Sequence, residues 1–194
     1  MIVETKGTAK PRQNNTDAPI LSVRGSDKSK PYIPLAGLVN DGWTREDKAT
    51  ATCFCGSVQL AFPTTSPGFV SSFVCNCTDC RKITASMFTA AFVVKDEYLE
   101  HLRGQSNLKT FAQNHSIATG NLMTNFFCGT CGTLMYRVSE RAPGHSIMRL
   151  GTVDDFNLVE TKLKPQMEVF VKDRVEWFSG IAGEGVACFD ASPQ

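Results

Sequence analysis

The chain has 194 residues, of which 42% are hydrophobic and 20% charged, and its formal net charge at neutral pH is +1. These values are typical of a globular protein. They indicate no nucleic-acid partner, which would need a clustered basic face. The sequence contains no run of about 18 apolar residues, the length that a membrane helix needs. The first residues, MIVETKGTAKPRQNN, lack the apolar segment of a secretory signal, so we expect a reducing, cytoplasmic location.

The first part of the chain differs from the rest. Residues 1–48 contain four prolines, many polar side chains and no sustained periodicity. We therefore predict an irregular N-terminal extension over residues 1–48 and one domain over residues 49–194. The short apolar segments of the extension, PILSV and YIPLAGLV, are expected on the surface of that domain.

From residue 50 onward the pattern predicts short β-strands. In SVQLAF, Val58, Leu60 and Phe62 alternate onto one side, as in a half-buried strand. Further runs of strand length follow between turn residues: FVSSFVC, MFTAAFVV, NLKTFAQ, MTNFF, TLMYRV, SIMRLG and MEVFV. DEYLEHLRG instead predicts one or two helical turns that end at Gly104. Many short strands with little helix predict an all-β fold, as a sheet or an open sandwich.

Seven of the eight cysteines fall into three groups. Residues i and i+2 of an extended strand point to the same face, so a C-x-C motif can aim two sulfurs at one point. CGTCG suits a turn in which two thiolates hold one ion. The spacing therefore indicates zinc. A reducing compartment disfavours disulfides. Redox chemistry is disfavoured because CGTC lies between two predicted strands and does not open a helix. The groups are Cys53 and Cys55, then Cys75, Cys77 and Cys80, then Cys128 and Cys131, with Cys188 alone.

Seven sulfurs do not complete two closed zinc sites, which need eight ligands. One solution is an eighth ligand from Cys188, His101, His115 or His145. The other is a closed four-cysteine site plus a three-cysteine site that keeps a position for water or substrate, as catalytic zinc sites do. A lone cysteine is more often a small buried hydrophobe than a ligand. We therefore favour the open site and expect the histidines, which lie in polar stretches, on the surface.

The order of these motifs resembles the family of glutathione-dependent formaldehyde-activating enzymes, which also includes centromere protein V. The resemblance rests on CFCGSVQLAF, CNCTDCRKITASMF and NFFCGTCGTLMY and covers roughly residues 50–180. It implies an all-β fold of the β-tent type with two zinc ions per chain. It assigns a structural zinc to Cys53, Cys55, Cys128 and Cys131, and a catalytic zinc to Cys75, Cys77 and Cys80.

The resemblance also implies a carbon–sulfur lyase that adds glutathione to formaldehyde, giving S-hydroxymethylglutathione, or reverses that step. Three thiolates around Zn²⁺ leave a net charge of about −1, which weakens water activation but suits a soft incoming thiolate. Arg81 and Lys82, directly after Cys80, are candidates for binding the carboxylates of glutathione. The alternative for both is solvated surface charge.

Four further residues carry secondary expectations. His115 could shuttle protons. Trp177 and Phe178 could wall a pocket, although aromatic core packing is the favoured alternative. The family often has glycine where this chain has Ala85, and glycine usually permits close approach of a backbone or ligand. The alanine is therefore expected to narrow or reshape the pocket.

Two other functions stay open. The same zinc chemistry could act on a different small molecule or a larger thiol adduct. Alternatively, the chain could be a non-catalytic, zinc-stabilised interaction module, because a fold does not determine a function. In that case the middle cysteine group would find a fourth protein ligand.

Overall fold

Antiparallel β-strands are the main regular secondary structure of the computed structural model, which describes residues 22–117, 119–181, 183 and 185–193. These residues form twelve strands, two α-helices and four 3-10 helices. The strands are β1 (Thr44–Arg45), β2 (Lys48–Thr52), β3 (Gln59–Pro63), β4 (Phe69–Cys75), β5 (Thr89–Lys95), β6 (Glu100–Arg103), β7 (Leu108–Gln113), β8 (Met123–Cys128), β9 (Leu134–Ser139), β10 (His145–Arg149), β11 (Met167–Val169) and β12 (Ala187–Phe189). The α-helices are α1 (Thr78–Thr84) and α2 (Phe156–Glu160), and the 3-10 helices span Asp96–Tyr98, Gln105–Asn107, Leu150–Thr152 and Val171–Asp173.

The strands form two sheets. The smaller has the order β1-β2-β3-β6 and the larger the order β12-β11-β4-β5-β10-β9-β8-β7. Neighbouring strands are antiparallel except that β11 runs parallel to both β4 and β12. The prediction of an all-β fold with little helix is confirmed. Within the described part of the chain, no helix has the length and apolar character needed to cross a membrane.

The main core lies where the two sheets pack against each other. Phe62 on β3 meets Phe92 on β5 with ring centroids 4.8 Å apart. Val58, Leu60 and Phe62 are fully buried in this core, as their alternation predicts. The intervening residues of β3 are buried too. Among them, Gln59 Nε2 donates to Asp41 Oδ1, in the chain before β1, at 3.2 Å.

Residues 22–43 contain no helix or strand but are tied to the domain by hydrogen bonds. The Tyr32 amide donates to Asp155 at 2.9 Å, and the Leu38 amide donates to the Phe54 carbonyl at 2.9 Å. The segment YIPLAGLV lies on the domain surface and leaves Leu35 and Leu38 largely exposed. Most of PILSV, with the rest of residues 1–21, lies outside the described residues.

The prediction of helical turns throughout DEYLEHLRG is wrong in its second half. The 3-10 helix Asp96–Tyr98 is followed by strand β6, which pairs with β3. A free edge of β3 offers hydrogen bonds that a short isolated helix cannot match, and this tertiary pairing overrides the local preference. Gly104 ends β6 with φ of +72°, where an added Cβ would lie 2.0 Å from the Ser57 carbonyl oxygen.

Helix α1 is absent from the predicted elements. It begins at the N-cap Cys77, whose sulfur accepts a hydrogen bond from the Cys80 amide at 3.4 Å. It ends at Ala85, which adopts a left-handed conformation with φ of +50°. Glycine is favoured at this position of a helix terminus because it has no Cβ. A glycine at position 85, as the family often has, would therefore suit the end of the helix. The expectation that Ala85 narrows a pocket is wrong, because Ala85 does not line the cleft described below.

Replacement of Ala85 by glycine is expected to stabilise the protein by about 1 kcal/mol, because it relieves the left-handed strain of a non-glycine residue. Urea unfolding followed by circular dichroism measures the change. Ala90→Gly on β5, where no left-handed conformation is required, is the matched control and should destabilise the fold. A loss of stability in the Ala85 variant would contradict the strain argument.

Candidate functional site

Four cysteines meet where two turns come together. Cys53 and Cys55 lie in the turn after β2, and Cys128 and Cys131 lie at the end of β8 and in the turn that follows. Their four sulfurs all lie within 4.8 Å of one another. The Sγ atoms of Cys53 and Cys55 are 3.6 Å apart, and those of Cys55 and Cys128 are 3.8 Å apart. A tetrahedron with Zn–S bonds of about 2.3 Å has edges of about 3.8 Å, so the group fits a tetrahedral ion.

The surroundings of this group support anionic sulfur. The Val58 amide donates to Cys53 Sγ at 3.2 Å, and Asn107 Nδ2 donates to Cys128 Sγ at 3.5 Å. Burial raises the pKa of Cys53 to about 12. Burial also acts to raise the pKa of Cys131, but hydrogen bonds with Thr133 and Cys55 together outweigh it and lower that pKa to about 6. A bound cation would offset the cost of ionising Cys53.

The second group contains the three middle cysteines. Cys75 ends β4, Cys77 is the N-cap of α1 and Cys80 lies within α1. Their sulfurs also lie within 4.8 Å of one another, and Cys75 and Cys80 are almost fully buried. This group too could hold a metal ion.

The extended geometry expected for the C-x-C motifs is wrong for Cys53 and Cys55. They lie in a turn closed by a 2.9 Å hydrogen bond from the Gly56 amide to the Cys53 carbonyl, so a change of backbone direction brings their sulfurs together. Cys75 ends β4, and the Asn76 amide donates to the Val169 carbonyl of β11 at 3.1 Å. Cys77 keeps extended backbone angles, with φ of −62° and ψ of 155°, before α1 begins.

The four residues considered as an eighth ligand belong to neither group. Among the described residues, the three-cysteine group takes in no fourth cysteine, histidine or carboxylate. Cys188 is exposed on β12, and His145 Nδ1 lies 3.0 Å from the Pro143 carbonyl oxygen. His101 is partly buried 3.2 Å from the Tyr136 hydroxyl, and burial lowers its pKa, so the expectation of a surface position is wrong for this histidine.

Two buried arginines flank the three-cysteine group, and nothing in the sequence pattern indicated them. Arg149 pairs with Ala91, and Arg137 lies diagonally from Arg149 on the neighbouring strand, so both side chains lie on one face of the large sheet. Hydrogen bonds from Cys75 and Cys77, together with the charges of Arg137 and Arg149, lower the pKa of Cys80 to about 2 against the opposing effect of burial.

Arg149 is the deeper of the two arginines and is 5% exposed. Its Nη1 donates to the Thr89 hydroxyl at 3.3 Å, whereas its Nε and Nη2 have no hydrogen-bond partner among the described residues. Burial lowers the pKa of Arg149 to about 10, so it remains a cation at neutral pH. It supplies a permanent positive charge beside sulfurs that would be negative in a metal complex.

A buried polar cluster supports the loop between Cys75 and Cys77. The side chain of Asn76 is fully buried, and its Nδ2 donates to Glu168 Oε1 at 2.8 Å. Glu168, which is 1% exposed, also accepts from the Ile181 amide at 3.2 Å and forms an ion pair with Arg174 at 3.3 Å. This network fixes the backbone from which both cysteines project.

Replacement of Glu168 by glutamine should destabilise the protein by about 1–3 kcal/mol, because Arg174 loses its counter-ion while the side-chain volume is preserved. Loosening the Asn76 anchor should also weaken metal binding at the three-cysteine group by about 10-fold or more. Urea unfolding and metal titration measure the two effects. Glu160→Gln, on the exposed side of α2, is the control. Equal behaviour of the two variants would show that the buried ion pair contributes little.

A cleft of about 410 Å³ lies between α1 and the β7–β8 hairpin. The three middle cysteines do not line it, but Asp79, which directly precedes Cys80, does. The Ser116 hydroxyl bridges its two walls by donating to Asp79 at 2.7 Å. Lys82 lines the cleft and Arg81 does not. The Nε and Nη2 groups of Arg81 are buried and have no hydrogen-bond partner in the described part of the chain. Of the three histidines, His115 lines the cleft. The lining residues are Asp79, Lys82, Ile83, Phe111, Gln113, His115, Ser116, Ile117, Met123, Asn125 and Arg137.

Trp177 and Phe178 are neither cleft-lining nor part of the main core. Trp177 is 71% exposed, which contradicts both expectations for it. Phe178 stacks on Phe88 with ring centroids 4.3 Å apart, next to the end of α1. The aromatic pair packs the C-terminal segment against the residues between α1 and β5.

Comparison with known proteins identifies the family of the chain. The chain matches the family described as glutathione-dependent formaldehyde-activating enzyme over residues 48–173. A crystal structure of a Rhodobacter sphaeroides protein from a structural genomics programme is similar, with 23% sequence identity and a TM-score of 0.42. The alignment covers 53% of this chain and 85% of that chain. No curated protein matches.

The family match includes all seven grouped cysteines, and it extends over most of the described domain. The family description indicates a function in formaldehyde activation that is related to glutathione. Both cysteine groups and the cleft beside one of them lie within the matched residues. The chain belongs to the family of glutathione-dependent formaldehyde-activating enzymes.

Proposed function

We propose that the protein is a zinc-dependent carbon–sulfur lyase that interconverts glutathione plus formaldehyde and S-hydroxymethylglutathione. The observation that carries the proposal is the three-cysteine group beside a cleft. Its sulfurs could hold an ion, and the described residues provide no fourth protein ligand. That arrangement suits a catalytic zinc site, which accepts a ligand from outside the protein.

The two cysteine groups would have different roles. Cys53, Cys55, Cys128 and Cys131 would hold a structural zinc that ties two turns together. Cys75, Cys77 and Cys80 would hold a second zinc, which would supply a Lewis acid that lowers the pKa of a substrate thiol and favours its thiolate. With both sites filled, the chain carries two zinc ions. Thiolates in this number need a reducing compartment, so we place the protein in the cytoplasm.

In the forward direction, the thiolate sulfur forms a bond with the formaldehyde carbon. The C=O π electrons move to oxygen, which then takes up a proton to give the hydroxymethyl group. In reverse, the hydroxyl loses its proton, the carbonyl re-forms and the C–S electron pair leaves with sulfur. Arg149 would offset negative charge at the three thiolates. His115, on the cleft wall, would exchange the proton with solvent.

Metal counting and a direct assay test the proposal. Native mass spectrometry should show two zinc ions per chain, with excess glutathione or a chelator removing one ion before the other. Nuclear magnetic resonance should show that the protein accelerates formation of S-hydroxymethylglutathione beyond the spontaneous rate. Two zinc ions of equal tenacity together with no acceleration would refute the lyase and support an interaction module.

A further inference from the structure

Arg137 and Asn125 form a buried polar pair that the chain itself leaves incomplete. They are register partners on β9 and β8 and are 9% and 5% exposed. Asn125 Nδ2 donates to the Phe111 carbonyl at 3.4 Å. Within the described residues, Asn125 Oδ1 and Arg137 Nε have no hydrogen-bond partner. An unpaired buried polar group costs about 1–3 kcal/mol, so one free acceptor beside one free donor needs an explanation.

Both side chains line the cleft between α1 and the β7–β8 hairpin. The cleft also carries Lys82 from α1, and its one carboxylate, that of Asp79, accepts the hydrogen bond from Ser116. The two cations of the lining, Lys82 and Arg137, therefore outnumber its single carboxylate. A guanidinium with a free edge binds a carboxylate in two parallel hydrogen bonds, which a lysine cannot reproduce.

The cleft and the three-cysteine group share structural elements. Helix α1 contributes Cys80 to the sulfur group and Lys82 to the cleft wall. Arg137 lines the cleft, and its charge acts on Cys80. None of the three cysteines lines the cleft itself, but Asp79 on its wall directly precedes Cys80, so a ligand in the cleft would lie next to the sulfur group.

We propose that the cleft recognises the acidic peptide part of the thiol substrate. Arg137 binds a substrate carboxylate, and Asn125 Oδ1 accepts a hydrogen bond from a substrate amide N–H. The inference rests on the proposed function and makes Arg137 a specificity-determining residue. It selects thiols that carry both a carboxylate and an amide over small neutral thiols.

Isothermal titration calorimetry with the full-length, zinc-loaded protein tests the proposal. The probe is S-methylglutathione, which keeps both carboxylates and both amides but has no free thiol to bind zinc. Arg137→Met should weaken its binding by about 10–100-fold, as expected for a lost charge-assisted hydrogen bond, and Asn125→Leu by about 5–10-fold. Arg141→Met removes an exposed arginine on the turn after β9 and should bind as the wild type does.

Substrate selectivity separates recognition from a structural role. The ratio of kcat/KM for glutathione to kcat/KM for 2-mercaptoethanol should fall about 10-fold or more in Arg137→Met, mainly through the KM for glutathione. If Arg137→Met does not fold by circular dichroism, Arg137→Lys keeps the charge, loses the bidentate geometry and should show a smaller fall of the same ratio. Equal losses for both thiols, or unchanged S-methylglutathione binding, would overturn the inference.

The two proposals fail in different ways. Binding of S-methylglutathione that depends on Arg137, without acceleration of the formaldehyde reaction, would refute the lyase and retain the recognition site. Acceleration of that reaction with unaltered thiol selectivity in the Arg137 variants would retain the lyase and refute the recognition site.

Discussion

Replacement of Cys128 by alanine is expected to unfold the protein. Cys128 is buried at the junction of two turns, and its sulfur lies 3.8 Å from that of Cys55. A structural zinc contributes folding free energy on the order of 10 kcal/mol, which is comparable with the total stability of an ordinary domain. Circular dichroism and urea unfolding of the purified variant, with zinc counted by mass spectrometry, measure the effect.

Cys188 provides the matched control for the Cys128 variant, because it is an exposed cysteine outside both groups. Cys188→Ala should retain the wild-type metal content and change the free energy of unfolding by less than about 0.5 kcal/mol. If Cys128→Ala unfolds at the same urea concentration as Cys188→Ala, the four-cysteine group does not hold a structural ion.

Replacement of Cys77 by alanine should leave the chain folded but remove one zinc ion and the lyase activity. The core between the two sheets does not include Cys77, so the direct structural cost is the loss of a helix cap, about 1 kcal/mol. Changing a residue that only supports a metal ligand lowers activity by about 10–100-fold. Because Cys77 is a proposed ligand itself, its replacement should lower activity by more than that. Zinc counting, urea unfolding and the formaldehyde assay together test this pattern.

Cys77→Ser separates the two roles of Cys77. A serine hydroxyl caps helices well, so this variant should recover the stability lost in Cys77→Ala. The serine hydroxyl oxygen is a poorer ligand than a cysteine thiolate for a zinc ion held by sulfur. The activity of Cys77→Ser should therefore stay low. A Cys77→Ala protein as unfolded as Cys128→Ala would show that the middle group is structural, and the proposed catalytic role would fail.

The fold class was predictable because strand length and hydrophobic alternation are local properties. Val58, Leu60 and Phe62 entered the core as their spacing predicts. Segment DEYLEHLRG was not predictable in the same way, because its second half pairs with the edge of β3 through contacts distant in sequence. Helix α1 was missed because its cap is a cysteine, a residue that the usual capping preferences do not include.

The candidate site shows the same division between local and distant information. The grouping of the cysteines is a matter of spacing, and the family resemblance assigned the first and third groups to one site. Arg81 and Lys82 are candidates for binding glutathione because they follow Cys80 directly. In the structure Lys82 lines the cleft and Arg81 does not. Their role in binding glutathione stays a prediction.

By itself, the sequence determined the all-β class, the three cysteine groups and the family. Only the tertiary structure decided which charged groups surround the sulfurs. Arg137 and Arg149 are distant from the cysteines along the chain, and strand register brings them to the face of the sheet where Cys80 lies. Register follows from the hydrophobic patterns and turns of both paired strands taken together. It is therefore decided only when β10 pairs with β5, a strand distant from it in sequence.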